Sequence, residues 1–259
     1  MVEWNRKYLV FAMLSLLTGI AVFEVTRAVR LKAMQFRRTP LTALMTEENY
    51  PPGWARADYV GYAVRAVRSD GSEVTVLRKE APDGRPVDMK VILDIPSRRR
   101  VSVDPSTQSM SSFPLPERHV ATYLSKPVMD CMEKPGAEHT TLLGYDALKT
   151  REPGGPPESQ DLIETWMAPA LGCFPLREEY TYPAATLGGG ALRVVKQAVF
   201  VIPGEPSASL YEIPSTYTER SPGEVNAEFE RRFPGRHAFP EKTVRILDQR
   251  YADARQQRP

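Results

Sequence analysis

From residue 59 onward, apolar and polar positions alternate with a period near two. Val74 and Val76 flank Thr75, while Met89, Val91 and Leu93 alternate with Lys90 and Ile92. That spacing puts successive side chains on opposite faces of a strand and leaves one face wetter than the other. The runs are separated by Asp70-Gly71 and Asp83-Gly84, dipeptides that supply the positive φ of tight hairpin turns. An antiparallel meander is expected. A polar, proline-bearing loop follows (DPSTQSMSSFPLPER), then one short helix in HVATYLSKPVMDCME.

A second set of strands is expected in HTTLLGYDALKTRE, DLIETWMAP, GCFPLREEYTY and ALRVVKQAVFVI, with EPGGPPESQ and PAATLGGG as turns. Residues 162–167 and 173–182 make two of these strands, joined by the turn 168–172, so that Cys173 begins the second. Ser221-Pro222-Gly223-Glu224 fits a capping box with proline at the first helical position, opening a helix to about Phe233. PEKTVRILDQRYADARQQ is expected to form a second, exposed helix.

Before the first strands, TPLTALMTEENYPPGWAR has proline near both ends and no sustained period, which reads as a linker. Ahead of it, Tyr8 to Phe23 is an uncharged, mostly apolar run. It lies between a signal-peptide core of about 7 to 15 residues and a bilayer span of about 17 to 25. No polar stripe of period 3.6 marks it as an amphipathic helix of the domain. Gly19-Ile20-Ala21 offers a small-x-small cleavage site, yet Arg27, Arg30, Lys32, Arg37 and Arg38 follow. The favoured expectation is therefore an uncleaved N-terminal membrane helix, with cleavage and secretion as the alternative. The expected organisation is an anchor or signal segment with a basic flank (1–38), a linker (39–56), a β-rich domain (57–235) and an exposed C-terminal helix or tail (236–259).

Composition changes the picture in two respects. The 24 prolines among 259 residues argue against an all-helical fold, leaving a mainly β, α+β chain with a few short helices. The net charge of +2 is uneven: residues 1–40 hold seven Lys/Arg and two Glu, leaving 27 basic against 30 acidic beyond them. The folded part thus lacks the basic excess of a nucleic-acid binder, and no nucleic-acid partner is expected. By the positive-inside rule alone, the heavier flank would keep the domain in the cytoplasm. The cysteines argue for the other side.

Those two cysteines, Cys131 and Cys173, stand 42 positions apart, an even number in a chain with an export-like start. Paired, they would staple the sheet in an oxidising compartment; the alternative is two separate buried thiols. With His139 they could also supply three zinc ligands, but nothing stands at C-x-x-C spacing. The other histidines, His119 and His237, belong to no metal motif, and no cofactor is expected.

No G-x-S-x-G elbow is present, and Gly188-Gly189-Gly190 lacks the Lys-Ser/Thr of a phosphate loop. The carboxylates Glu178-Glu179 and Asp161/Glu164 are expected to face water, so no catalytic residue is assigned. The aromatics are more informative. Tyr145, Trp166, Phe174 and Phe200 are candidates to line an apolar cavity on a concave sheet, the alternative being a filled core.

Three stretches, LLGYDALK, ETWMAPALGC…LR and GEPSASLYEIPSTYTERSPGE, resemble a pattern of uncharacterised bacterial envelope proteins that carry a W-x-A-P-x-L-G-C segment. The resemblance spans roughly residues 131–225 and implies no reaction. The wider arrangement is similar to the periplasmic lipoprotein carriers LolA, LolB and LppX. It implies a curved antiparallel open half-barrel closed by helices over an apolar cavity. Together with the apolar N-terminal run and the cysteines, this gives the expectation of an inner-membrane-anchored envelope protein, its domain in the periplasm, binding a lipid or a lipoprotein acyl chain. A membrane anchor departs from those carriers, which must diffuse. The alternative is a sensor or structural module with a solid core that engages an envelope protein partner.

Overall fold

The structure, a computed structural model, describes residues 39–51, 54–57, 59–131, 138–154, 162–182, 192–238 and 241–256. The expected N-terminal membrane helix, residues 1–38, lies outside the described residues. Among the described residues, no helix is long and apolar enough to cross a membrane.

In chain order the elements are β1 (Leu41–Tyr50), β2 (Tyr59–Val67), β3 (Glu73–Glu80), β4 (Pro86–Asp94), β5 (Arg99–Asp104), β6 (Ser109–Pro114) and α1 (Glu117–Asp130). Then come β7 (Glu138–Leu142), β8 (Tyr145–Pro153), β9 (Leu162–Ala168), β10 (Phe174–Tyr182), β11 (Leu192–Pro203), β12 (Thr218–Glu219), α2 (Pro222–Arg232) and α3 (Glu241–Gln256). The strands form one open, curved sheet in the order β12-β6-β5-β4-β3-β2-β1-β11-β10-β9-β8-β7. All pairs are antiparallel except β12 with β6. Two meanders, β2 to β6 and β7 to β11, meet on β1.

The expected hairpins form where the glycines allow them, with Gly71 at φ 87° and Gly84 at φ 81°. The stretch expected to be a linker does not remain one. Residues 41–50 are β1, the strand paired with β2 on one side and β11 on the other. Its alternation is real, with Leu41, Ala43 and Met45 buried between half-buried Thr42, Leu44 and Thr46; the flanking prolines and Glu47-Glu48 conceal it.

Register assigns each residue to a face. The face bearing the helices, here the inner one, has its core over the middle strands: Leu41, Ala43, Val67, Phe174, Leu176 and Ala198 are each at most 2% exposed. The outer face has a separate core on β2 to β5, made by Ala66, Val74, Ile92, Val101 and Val103. Residues 205–217 cover it with Leu210, Tyr211 and Ile213, and the Tyr211 hydroxyl donates to the Ala66 carbonyl at 2.9 Å. Burial is the first cause that raises the Tyr211 hydroxyl above its ordinary range.

The expected disulfide is present. Cys131 follows α1 and bonds Cys173, with the Cα atoms 5.7 Å apart, an ordinary separation for such a bridge. Cys173 does not begin the strand, however. Residues 169–171 make one 3₁₀ turn, and Gly172 and Cys173 follow at φ 62° and 63°, so β10 starts at Phe174. Glycine is required at 172, because a Cβ there would lie 2.8 Å from the Thr39 backbone nitrogen as well as in a left-handed conformation.

Helix α2 opens on the expected capping box: the Glu224 amide donates to Ser221 Oγ at 3.2 Å, and the Ser221 amide donates to Glu224 Oε2 at 2.7 Å. The C-terminal helix is not simply exposed, as its charged sequence suggests. Tyr251 on α3 is 5% exposed and meets Phe113 edge to face at 5.5 Å. Asp248 Oδ1 accepts from the Gly223 amide at 2.7 Å, placing a carboxylate at the N-terminus of α2, where the helix dipole favours it.

In the last turns of α2, Arg231 and Arg232 hold Glu228 at 2.6 and 2.7 Å. Their hydrogen bonds pull its carboxyl down to about 2. A carboxyl lowered in the fold stabilises it above the ordinary carboxylate range and loses that contribution as pH falls towards the folded value. Glu228→Gln is therefore expected to flatten the fall of melting temperature between pH 4.5 and 2 relative to the wild type; parallel slopes would show that the pair contributes nothing.

Candidate ligand-binding cavity

A cavity of about 730 Å³ lies on the inner face between β3–β6 and helices α2 and α3. Its apolar walls include Leu77, Met89, Val91, Phe113, Val225 and Leu247. Met89 and Val91 are the residues that alternation grouped on one side of β4. They share a face with Leu77, which pairs with Met89. The capping box sets the start of α2 and so places Val225 over the sheet. On α3, Leu247 and the docked Tyr251 stand four positions apart, on one side of the helix.

The rim is polar. Arg100, His119, Arg250 and Asp253 border the space, all four exposed. Ser102, Asp104, Ser109 and Ser111 of β5 and β6 also line the space, so one wall is polar. A cavity with an apolar side on β3, β4, α2 and α3 and polar groups opposite and at the opening suits an amphiphile.

A smaller hollow of about 270 Å³ adjoins it at Leu77, over the middle of the sheet. Arg65 stands at its centre, donating from Nε to Glu73 and from Nη1 to Glu178 at 3.4 Å, with its guanidinium 5.2 Å from the Phe174 ring centre. Tyr123 of α1 donates to the other Glu73 oxygen, so the cluster also holds that helix on the sheet. Burial opposes the charge on Arg65, but Glu73 and Glu178 outweigh it and push the guanidinium above its ordinary range. Burial, then the Glu178 charge, raises the Tyr180 hydroxyl. A third hollow, of about 760 Å³, continues past Ala63 and Glu47 towards Tyr59.

The four aromatics expected at a cavity are placed elsewhere, and none lines the space under α2 and α3. Phe174 is in the inner core at 2% exposure, with Tyr145 packed against that core. Trp166 is on the outer face between Lys149 Nζ at 5.0 Å and the Arg177 guanidinium at 5.1 Å. Phe200 is on the outer face too, 47% exposed. All four belong to β8–β11, whereas the cavity lies under the other half of the sheet. The Leu247–Tyr251 spacing is the signal that could have found its far wall.

The remaining chemistry is dispersed. Glu178 and Glu179, adjacent in β10, point to opposite faces: Glu178 to Arg65, Glu179 to Arg177 at 2.9 Å and Arg193 at 3.4 Å. Glu164 is paired with Lys149 and Arg151, and Asp161 lies outside the described residues. The disulfide leaves no thiolate for a zinc site, His139 sits 3.1 Å from Asp146, and His237 is 3.7 Å from Glu230. Among the described residues, no group of three His, Cys, Asp or Glu is placed to hold a metal ion.

No family model and no curated protein matches the chain. Among solved structures it is similar to PNGF-II, at 13% identity and a TM-score of 0.42, over 74% of this chain and 33% of that one; it thus spans about a third of that protein's length. It is similar to a LolA superfamily protein from Nitrosomonas europaea at 9% identity and a TM-score of 0.32, covering 72% of this chain and 96% of the other. A DUF1329 family protein from Desulfovibrio piger matches at 9% identity and a TM-score of 0.21, over 73% and 95% of the two chains.

Proposed function

We propose that this protein is a membrane-anchored envelope protein that binds, without catalysis, an apolar ligand such as a lipid or lipoprotein acyl chain between β3–β6 and helices α2 and α3. The observation that carries this is the cavity of about 730 Å³ with walls of Leu77, Met89, Val91, Phe113, Val225 and Leu247. Its size falls within the range of about 300 to 1,000 Å³ typical of small-molecule sites. A solid-core module would fill that space with side chains. The disulfide supports an oxidising compartment such as the periplasm, and the paired, divided carboxylates support binding rather than acid–base chemistry.

Titrating the full-length protein with a fluorescent fatty acid tests this. Saturable binding is expected, displaced by unlabelled lipid and weakened at least tenfold by Val225→Trp or Val91→Trp, which fill the space. Wild-type protein without saturable binding, or binding unchanged in both folded variants, would overturn the proposal and favour the interaction module.

A further inference from the structure

The outer face is neither uniformly covered nor uniformly charged. Over β3 to β5 it is roofed by residues 205–217. On β8 to β10 it carries paired charges, among them Lys149, Arg151, Glu164, Arg177 and Glu179. Between these areas, on β2, β1 and β11, lies an apolar stripe. Val64, Leu44 and Phe200 stand side by side in register, Ile202 pairs beside Thr42, and Tyr62 pairs beside Thr46. Val60, Tyr62, Phe200 and Ile202 are 50%, 56%, 47% and 55% exposed. Contiguous exposed apolar surface of this kind marks a contact site.

We propose that this stripe rests on the surface of a lipid bilayer. The place where the chain enters the sheet selects that occupant. Leu41, the first residue of β1, adjoins Thr42 and Ile202 at one end of the stripe, and the Gly204 amide donates to the Pro40 carbonyl there at 2.8 Å. The apolar run ending at Phe23 is joined to this point by residues 24–39, which can reach at most about 60 Å. If that run is in a bilayer, as the proposed function holds, the stripe is kept within reach of the same bilayer. Arg27, Arg30, Lys32, Arg37 and Arg38 lie on the connecting segment, where basic side chains draw the chain towards anionic headgroups. Tyr62, with an apolar ring and a hydroxyl, suits the boundary between headgroup and acyl chain. The cavity and helices then face away from the membrane.

The test uses the full chain in vesicles of phosphatidylethanolamine and phosphatidylglycerol containing spin-labelled lipid. An environment-sensitive fluorophore is placed on Phe200→Cys, Ile202→Cys or Tyr62→Cys, with Ala252→Cys on α3 as the reference. An intact disulfide, checked on a non-reducing gel, leaves only the introduced thiol to label, and three positions guard against one that fails to fold. Quenching several-fold stronger at the stripe positions than at 252 is expected. Equal quenching in chains that float with the vesicles would overturn the docking while leaving the anchor intact, and so would protection of the stripe by a second copy without lipid quenching. Failure to float would overturn the anchor and the docking together, with fatty-acid binding still measurable separately.

Discussion

Replacing Cys131 and Cys173 together with serine should lower the free energy of unfolding by about 4 kcal/mol, the loop-closure value for a separation of 42 residues. That is a large share of the roughly 5–15 kcal/mol that stabilises a typical domain. The bridge encloses β7, β8 and β9, the last three strands at one edge of the sheet. It ties the end of α1 to the turn before β10, and Met167 packs against both sulfur-bearing residues. Without it, those strands are held by pairing to β10 and by the packing of Leu142, Tyr145 and Ala168 in the inner core. Denaturant titration under non-reducing conditions measures the difference. A loss below about 1 kcal/mol would show that pairing and packing hold the edge unaided.

The second large effect is at Arg65. Arg65→Met should cost up to about 3 kcal/mol, the low end for breaking a buried ion pair, since the Arg65 side chain is 22% exposed and its removal leaves its partners uncompensated. Here two carboxylates would be left, Glu73 and Glu178, with side chains only 11% and 19% exposed. The triple variant Arg65→Met, Glu73→Gln, Glu178→Gln should recover most of the loss. Its amides bear no charge, and the residue at position 73 can still accept from Tyr123. Were the attraction itself the main contribution, the triple variant would stay as unstable as the single one. Chemical denaturation of all three proteins distinguishes these outcomes.

What the sequence makes legible is local. Asp70-Gly71 and Asp83-Gly84 fix their hairpins, Ser221 to Glu224 fixes a helix start, and Met89 and Val91 share a side of β4. Each depends on residues within a few positions of one another. What it conceals depends on distant partners. Residues 41–50 look like a linker because a short alternation between prolines is weak by itself; only β2 and β11, on its two sides, make it the meeting point of the sheet. Phe174 and Phe200 are both aromatic residues of strands, yet one is core and the other surface. Their faces follow from registers that include irregularities at Leu44/Met45 and Pro175/Arg177. The cavity wall on α3 is hidden for a similar reason, since two apolar positions among many charges acquire meaning only once Phe113 lies opposite Tyr251.

The position of β1 also bears on how the chain reaches its fold. The side-chain contact from Thr46 to the Gln197 carbonyl spans 151 positions, whereas β2 to β6 are joined by short connections. Closure across so long a separation carries a large entropic cost before any contact offsets it, and topologies rich in such pairings fold slowly. During synthesis, one side of β1 can find its neighbour almost at once, while the other side waits for β11. Until then an open strand edge persists in the middle of what will become the sheet, and it is during that interval that the nascent protein is most open to pairing with the wrong chain.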